Sequence, residues 1–134
     1  MKAAAKQVAL FIAVGCAAAL VHLSIVVMLV EHARFHPLAA NFVGWLVAVG
    51  VSFSGHHWLT FKSAQPSDRS VPVAARRFVT ISACGFAVNQ ATYALALHWS
   101  AVRYDWLLMW VLVMVAVATF LASRSWAFRD SARR

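Results

Sequence analysis

The chain has 134 residues, of which 63% are hydrophobic and only 12% are charged, whereas soluble domains carry about 25% charged residues. A soluble fold of this size could not bury so much apolar surface, so the composition excludes a soluble globular domain and favours a membrane protein. The formal net charge of +8 would suggest a nucleic-acid partner, but its placement beside apolar runs argues against one.

Four apolar runs are long enough to cross a bilayer, whose hydrocarbon core of about 30 Å needs about 20 apolar residues per helix. We predict transmembrane spans at 8–30, 38–61, 78–99 and 106–128. The expected fold class is therefore an all-α membrane protein with four transmembrane helices, arranged as two helical hairpins. The first run is too long for the apolar region of a signal peptide, so no cleavage is expected.

The basic residues are distributed unevenly between the two sides of the predicted membrane. Ten of the twelve lysines and arginines lie at the N-terminus, between spans two and three, or at the C-terminal end. Because such residues accumulate in cytoplasmic segments, we predict that both termini and the central loop are cytoplasmic. The expected location is a bacterial-type inner (plasma) membrane.

Span one carries a stripe at helical spacing, formed by Gly15, Ala19, His22 and Val26. Small residues let helices pack closely in lipid, so the stripe predicts that His22 lies inside the bundle. There it is either a neutral histidine bonded to a neighbouring helix or a ligand or proton carrier. Cys16 and Cys84 lie in mid-span without metal-ligand spacing, so we expect both to be buried, and we expect no metal or other cofactor.

Span two grades from small to polar residues at four-residue steps, through Gly44, Ala48, Ser52 and His56. Segment 63–73, which holds two prolines and three serines, is predicted to be a solvated loop. Arg76 and Arg77 then open span three at the interface.

Asn89 and Gln90 follow about a dozen residues after the start of span three, near mid-bilayer at 1.5 Å per residue. Two adjacent amides are costly in hydrocarbon unless each faces protein or water. They either hydrogen-bond between helices or line a polar cavity. Span four is almost wholly apolar until Thr119, Ser123 and Arg124.

The two halves of the chain end alike. The sequence HHWLTFK at 56–62 aligns with SRSWAFR at 123–129, and the earlier parts of the halves align with a similar shift. We therefore predict a repeat of 7–62 and 77–129. Because each half contains an even number of spans, the two copies would have the same orientation.

These endings resemble the GtrA-like family of small four-span membrane proteins, and the resemblance covers about residues 7–129. The commonest family ending is Asn-Arg, a variable residue, an aromatic residue, Thr, Phe and a basic residue. Here the Asn is absent from both copies, His57 stands at the Arg position of the first copy, and His22 corresponds roughly to a common family aspartate. The resemblance implies a role in cell-surface polysaccharide synthesis, through polyprenyl-phosphate-linked sugars or the glycosyltransferases that make or use them.

Such a lipid needs cations for its phosphate and polar groups for its hydroxyls. We assign the phosphate contacts to six basic residues near the cytoplasmic interface: Arg124, His57, Lys62, Arg129, Arg76 and Arg77. We assign a polar path across the membrane to eight side chains: His22, Ser52, His56, Asn89, Gln90, Thr92, Thr119 and Ser123. Four aromatic residues are expected at the interface: Trp58, Phe61, Trp126 and Phe128. The alternative reading of the basic residues is that they set topology and attract anionic lipids.

Translocation of the lipid-linked sugar is the preferred function, and the alternative is a non-transporting anchor or partner subunit of a membrane glycosyltransferase. A proton-coupled exporter of small cations is disfavoured because all four acids, Glu31, Asp68, Asp105 and Asp130, lie at span ends or in loops. Without a nucleophile–base set, we expect no enzyme. Four short spans enclose little volume, so a homodimer is a further hypothesis.

Overall fold

A computed structural model describes residues 2–55, 58 and 71–127, with the side chains of the last helix described as far as Ala118. These residues contain four α-helices, α1 (Lys2–Glu31), α2 (Pro37–Gly55), α3 (Val71–Trp99) and α4 (Tyr104–Ala127). Consecutive helices run antiparallel and pack in a ring, α1 on α2, α2 on α3, α3 on α4, and α4 back on α1. The predicted all-α architecture is confirmed.

The outer surface of the bundle is apolar. Ile81 is 74% exposed, Leu20 66% and Met114 63%, and each helix presents further large apolar side chains outward. Within the described residues, Ala9–Glu31 and Pro37–Gly55 have mean hydropathies of 2.5 and 1.6 over membrane-spanning lengths, and Tyr104–Ala118 is a shorter apolar helix. Because so large an exposed apolar surface is stable only in lipid, the chain is a membrane protein.

The helix boundaries differ from the predicted spans mainly at the start of α3. This helix begins at Val71, so residues 71–73 are helical although they were predicted to lie in a loop. Pro72 is compatible with this start because the first turn of a helix needs no N–H donor. Arg76 and Arg77 consequently lie in the second turn of α3 and do not open it. The end of span two beyond Gly55 falls outside the described residues, except for the exposed Trp58.

The first hairpin turns sharply after α1. Arg34 takes a left-handed conformation with φ of 55°, which is uncommon for a residue other than glycine, and the Phe35 N–H turns back to donate to the Leu29 carbonyl at 3.0 Å. Pro37 occupies the first turn of α2, as predicted. We call the end of the bundle with the connections 32–36 and 100–103 the hairpin end.

Small residues bring α1 and α2 into close contact. Gly44 and Ala48 of α2 are buried, as predicted. On α1, however, the predicted stripe is displaced by one position, because Val14 and Ala18 are buried whereas Gly15 and Ala19 are exposed. His22 and Val26 keep their predicted interior places at 5% and 0% exposure.

The two cysteines are also placed differently from the prediction. Cys16 and Cys84 are both exposed on the outer surface of their helices. Each lies beside an exposed glycine, Gly15 or Gly85, at which an added Cβ would meet nothing within 4 Å. The paired glycines and cysteines therefore face the surroundings of the bundle and are not part of its core.

A hydrophobic core at the hairpin end joins all four helices. Its buried members are Val26 of α1, Ala40 of α2, Tyr93 of α3, and Leu108 and Val111 of α4. Beyond Val115, the consecutive residues 116–118 of α4 are all exposed. Among the described side chains of α4, the buried ones thus lie in its first half.

Gly44 provides a direct test of the contact between α1 and α2. A Cβ at this position would lie 2.6 Å from His22 Cδ2 and 3.0 Å from the His22 backbone oxygen. Because the backbone cannot move aside easily, we expect Gly44→Ala to lower the free energy of unfolding by about 1–3 kcal/mol in mixed micelles. Gly85→Ala is the matched control and should leave stability unchanged or slightly raised, since its Cβ has open space. Equal stability of the two variants would contradict the close contact.

Candidate functional site

Four polar side chains from three helices meet inside the bundle, and we call them the polar cluster: His22, Asn41, Asn89 and Gln90. Asn41 is its hub and is completely buried. The Asn41 side-chain amide donates to Asn89 Oδ1 at 3.0 Å and to Gln90 Oε1 at 2.6 Å. Gln90 in turn donates through Nε2 to the Leu38 carbonyl at 3.0 Å. The cluster therefore ties α2 to α3 through side-chain amides.

The third helix enters the cluster through His22. Its Nε2 lies 2.8 Å from Asn41 Oδ1 and 3.2 Å from the Asn41 backbone oxygen. Because both partners are acceptors, Nε2 carries the proton and donates to them. In a neutral ring this leaves Nδ1 as an acceptor, and no described residue donates a hydrogen bond to it.

The polar cluster lies between the middle of the bundle and the hairpin end, since Asn41 follows the start of α2 at Pro37 by only four residues, or about 6 Å. His22 precedes the end of α1 at Glu31 by nine residues, or about 14 Å along the axis. Asn89 precedes the end of α3 at Trp99 by ten residues, or about 15 Å. Both depths are about half the thickness of a bilayer core. Polar side chains at this depth are rare and are candidates for a functional site.

A pocket of about 140 Å³ opens between α1, α2 and α3, next to the cluster. Of the four cluster residues, His22 lines it. The wall is completed by small residues, two hydroxyl groups and two aromatic rings, namely Ala18, Ala19, Ala48, Val49, Ser52, Ser82, Trp45 and Phe78. Trp45 Nε1 donates to Ser82 Oγ at 3.1 Å across this wall. The pocket therefore combines neutral hydrogen-bonding groups with apolar surface.

Aromatic side chains reinforce the seam between α2 and α3. Trp45 stacks on Phe86 with ring centroids 4.6 Å apart and an interplanar angle of 17°. Phe42 contacts both rings, and Phe53 meets Phe78 at 5.6 Å. Such pairs contribute about 0.5–1.5 kcal/mol each beyond the area they bury. They fix the position of α2 relative to α3, the two helices that form two sides of the pocket.

Sequence reasoning missed Asn41, the residue that joins the cluster together. The available signal was its spacing, since Asn41 precedes Gly44 by three residues and so falls on the small-residue face of α2. Of the predicted path residues, Ser52 lines the pocket, whereas Thr92 is half-buried on α3 outside the cluster. His56 and the side chains of Thr119 and Ser123 lie outside the described residues.

The predicted phosphate contacts fall largely outside the described part of the chain. His57, Lys62 and Arg129 are not described, and for Arg77 and Arg124 only the helical backbone is. Arg76 is exposed in the second turn of α3, where its carbonyl accepts a hydrogen bond from Thr80 Oγ1 at 2.9 Å. Of the predicted interface aromatics, Trp58 is 62% exposed, and the side chains of Phe61, Trp126 and Phe128 lie outside the described residues.

Polar contacts also join the hairpins at the hairpin end. The Tyr104 hydroxyl donates to Glu31 Oε1 at 2.7 Å, which ties α4 to α1. Burial, aided by this hydrogen bond, raises the pKa of Tyr104 to about 12. The buried Tyr93 donates to the Tyr104 carbonyl at 3.0 Å. The start of α4 is thus held by both α1 and α3.

Asp105, in the first turn of α4, accepts a hydrogen bond from the Trp106 N–H at 2.9 Å, one of the N–H groups that have no partner within the helix. The Arg103 guanidinium binds the same carboxylate and lowers its pKa. A lowered pKa stabilises the folded chain above the unfolded pKa, and this contribution is lost as the pH falls through the folded value. The effect is small here because the Arg103 side chain is 64% exposed and screened by solvent.

Among the residues that the structure describes, no group of three histidine, cysteine, aspartate or glutamate side chains could hold a metal ion. The polar groups described at the site are amides, hydroxyls and one imidazole, which form hydrogen bonds.

The sequence matches the model of the family GtrA/DPMS, transmembrane domain, over residues 10–128. The chain belongs to this family. The match covers all four helices, so the resemblance seen in the paired endings is confirmed. Neither the curated proteins nor the solved structures include a significant match. As a GtrA/DPMS transmembrane domain, the chain is a membrane protein of lipid-linked sugar pathways, and the family is one of membrane domains and not of catalytic domains.

Proposed function

We propose that this GtrA/DPMS protein translocates a polyprenyl-phosphate-linked sugar across the membrane for cell-surface glycan synthesis. The observation that carries the proposal is the polar cluster inside the bundle, with its pocket between α1, α2 and α3. A sugar headgroup crossing the bilayer must exchange hydrogen bonds with water for hydrogen bonds with protein, and uncharged amide, imidazole and hydroxyl groups supply these. We expect the protein to have no catalytic role of its own.

The pocket is small for a complete headgroup, since sites for small molecules are commonly about 300–1,000 Å³. The sugar would therefore occupy it only in part, or after the helices separate, with the polyprenyl tail remaining in lipid. The apolar side chains on the outer surface of the four helices are compatible with such a tail. The six basic residues assigned from the sequence would hold the phosphate at the cytoplasmic interface.

A second function is favoured because most hydrogen-bonding groups of the polar cluster already have partners in the protein. Hydrogen bonds between transmembrane helices stabilise a bundle without any substrate, and most polar groups of the cluster bond to one another. The cluster would then be structural, and the protein would serve as a non-transporting anchor or partner subunit of a membrane glycosyltransferase. In either function we expect anionic lipids to bind near the six basic residues at the cytoplasmic interface. We also propose that the protein forms a homodimer.

A flipping assay with the purified protein in liposomes separates the two functions. We expect the protein to move a polyprenyl-phosphate hexose between leaflets, measured by the accessibility of the sugar to an added oxidant. The variant with both Asn89→Leu and Gln90→Leu should lose flipping while still capturing the cognate glycosyltransferase in a pull-down. If the unmodified protein does not flip the polyprenyl-phosphate hexose, but the glycosyltransferase needs the protein for its activity, the partner-subunit function replaces the proposal.

The proposed topology places both termini and the loop between spans two and three in the cytoplasm, in a bacterial-type inner membrane. Its test is labelling of single cysteines with an impermeant reagent, in a background where the exposed Cys16 and Cys84 are replaced by alanine. Cysteines at Ser67 and Ser131 should react only from the cytoplasmic side, and one at Ala33 only from outside. Labelling of position 67 from outside would reverse the proposed orientation.

A further inference from the structure

The hydrogen-bonding capacity of the polar cluster is not fully used. Asn41 has its side-chain oxygen and amide hydrogens engaged, and Gln90 both accepts and donates. Asn89 accepts through Oδ1, but its Nδ2 has no hydrogen-bond partner among the described residues. At 4% exposure, this donor cannot be satisfied by water at the bundle surface. A buried donor without an acceptor is rare in folded proteins and favours binding of an oxygen atom.

The second unused group is an acceptor. With the proton of His22 on Nε2, Nδ1 keeps a lone pair, and no described residue donates to it. His22 lines the pocket, and Asn89 is joined to His22 through Asn41. The cluster thus presents one donor and one acceptor that the protein itself does not satisfy.

This combination selects a chemical class. A hydroxyl group both donates and accepts, so it complements Nδ1 of His22 and Nδ2 of Asn89. A phosphate presents only acceptors and an ammonium only donors, so each would leave one of the two groups unsatisfied. A hydrocarbon chain satisfies neither.

We infer that the polar cluster is a binding site for sugar hydroxyl groups, with Asn89 Nδ2 as donor and His22 Nδ1 as acceptor. The inference rests on the proposed function and deepens it, because it names the atoms that recognise the headgroup at mid-membrane. Asn41 acts as the positioning residue that fixes the histidine tautomer and the Asn89 amide. The phosphate is recognised elsewhere, since the pocket lining and the cluster contain no arginine or lysine.

Asn89 and Gln90 form a matched pair for the test. Both accept a hydrogen bond from the same Asn41 amide, so each leucine variant removes a tie between α2 and α3. Gln90→Leu also removes the tie to the Leu38 carbonyl, so it disturbs the packing of the helices at least as much as Asn89→Leu. Only Asn89→Leu also removes the unsatisfied donor. A difference between the variants in ligand recognition therefore reports on that donor and not on the packing of the helices.

The probes are the polyprenyl-phosphate hexose that the wild-type protein binds best and its monodeoxy analogues, titrated into nanodiscs by tryptophan fluorescence. One deoxy analogue should bind wild-type protein about three- to tenfold more weakly than the parent, as expected for one neutral hydrogen bond. This ratio should fall to about one in Asn89→Leu and persist in Gln90→Leu. Equal binding of parent and all analogues by wild type, or equal loss of discrimination in both variants, would overturn the inference.

A measurement on the unmodified protein keeps the inference testable if Asn89→Leu does not fold. In solid-state NMR, the side-chain ¹⁵N resonance of Asn89 should shift when the parent lipid is added and stay in place with the critical deoxy analogue. An unchanged resonance with the bound parent would defeat the hydroxyl site. Wild-type protein that neither binds nor flips any hexose lipid would instead defeat the proposed function itself.

Discussion

Asn41→Leu is expected to lower the free energy of unfolding by about 2–4 kcal/mol, although it introduces an apolar side chain into an apolar bundle. The substitution removes the side-chain acceptor of His22, which keeps only the backbone oxygen at 3.2 Å, and the donor to both Asn89 and Gln90. Hydrogen bonds between membrane helices average about 0.6 kcal/mol each, but the groups left buried and unpaired cost about 1–3 kcal/mol each. Equilibrium unfolding in mixed micelles or bicelles measures the change.

The control for this prediction replaces all four members of the polar cluster by leucine at once. Replacing both partners of a hydrogen bond by apolar groups is often nearly neutral, so this variant should recover most of the stability lost in Asn41→Leu. It should nevertheless fail to flip the lipid-linked sugar. A quadruple variant that is both stable and fully active would show that the cluster has no part in transport.

Arg124→Ala is expected to reduce translocation by about ten- to a hundredfold while the protein still inserts and folds. The reason is the loss of charge-assisted hydrogen bonds to phosphate, which contribute about 1.5–3 kcal/mol. Arg124→Lys should restore activity only in part, because lysine keeps the charge but lacks the planar fork that grips two phosphate oxygens. Initial rates of flipping in liposomes, at equal protein content, give the comparison.

Arg133→Ala is the matched control for Arg124→Ala. It removes the same charge from the same terminal region, but Arg133 lies beyond the family match at 10–128. Its flipping rate should stay close to that of the wild type. If Arg124→Ala is as active as Arg133→Ala, then Arg124 serves only to anchor the helix at the headgroups.

The number, type and order of the helices followed from the sequence, because the membrane imposes a length and a composition on every span. The interior face of α2 could also be predicted. Its small residues Gly44 and Ala48 stand on one side only, between large residues that must face outward. The interior position of His22 was predicted from the stripe that it forms with Gly15, Ala19 and Val26, of which His22 and Val26 are buried.

The interior face of α1 could not be fixed in the same way. The helix carries alanine, glycine or cysteine on nearly every side between positions 13 and 19, so neighbouring stripes fit the pattern equally well. Adjacent residues differ by about 100° around a helix, and the contact with α2 selected Val14 and Ala18 over Gly15 and Ala19. The exposure of Cys16, on the opposite side of α1 from this contact, follows from the same packing.

Only the tertiary structure decided which polar groups meet. Asn41 lies 48 and 49 positions from Asn89 and Gln90 in the chain, so their contact depends on how the two hairpins dock. In lipid, apolar side chains gain little by leaving the solvent for the bundle, so docking is set by shape and by hydrogen bonds between helices. The sequence therefore predicted that polar groups lie inside the bundle. The packing of the helices decided which of them meet, and it leaves one donor and one acceptor of the polar cluster without a partner among the described residues.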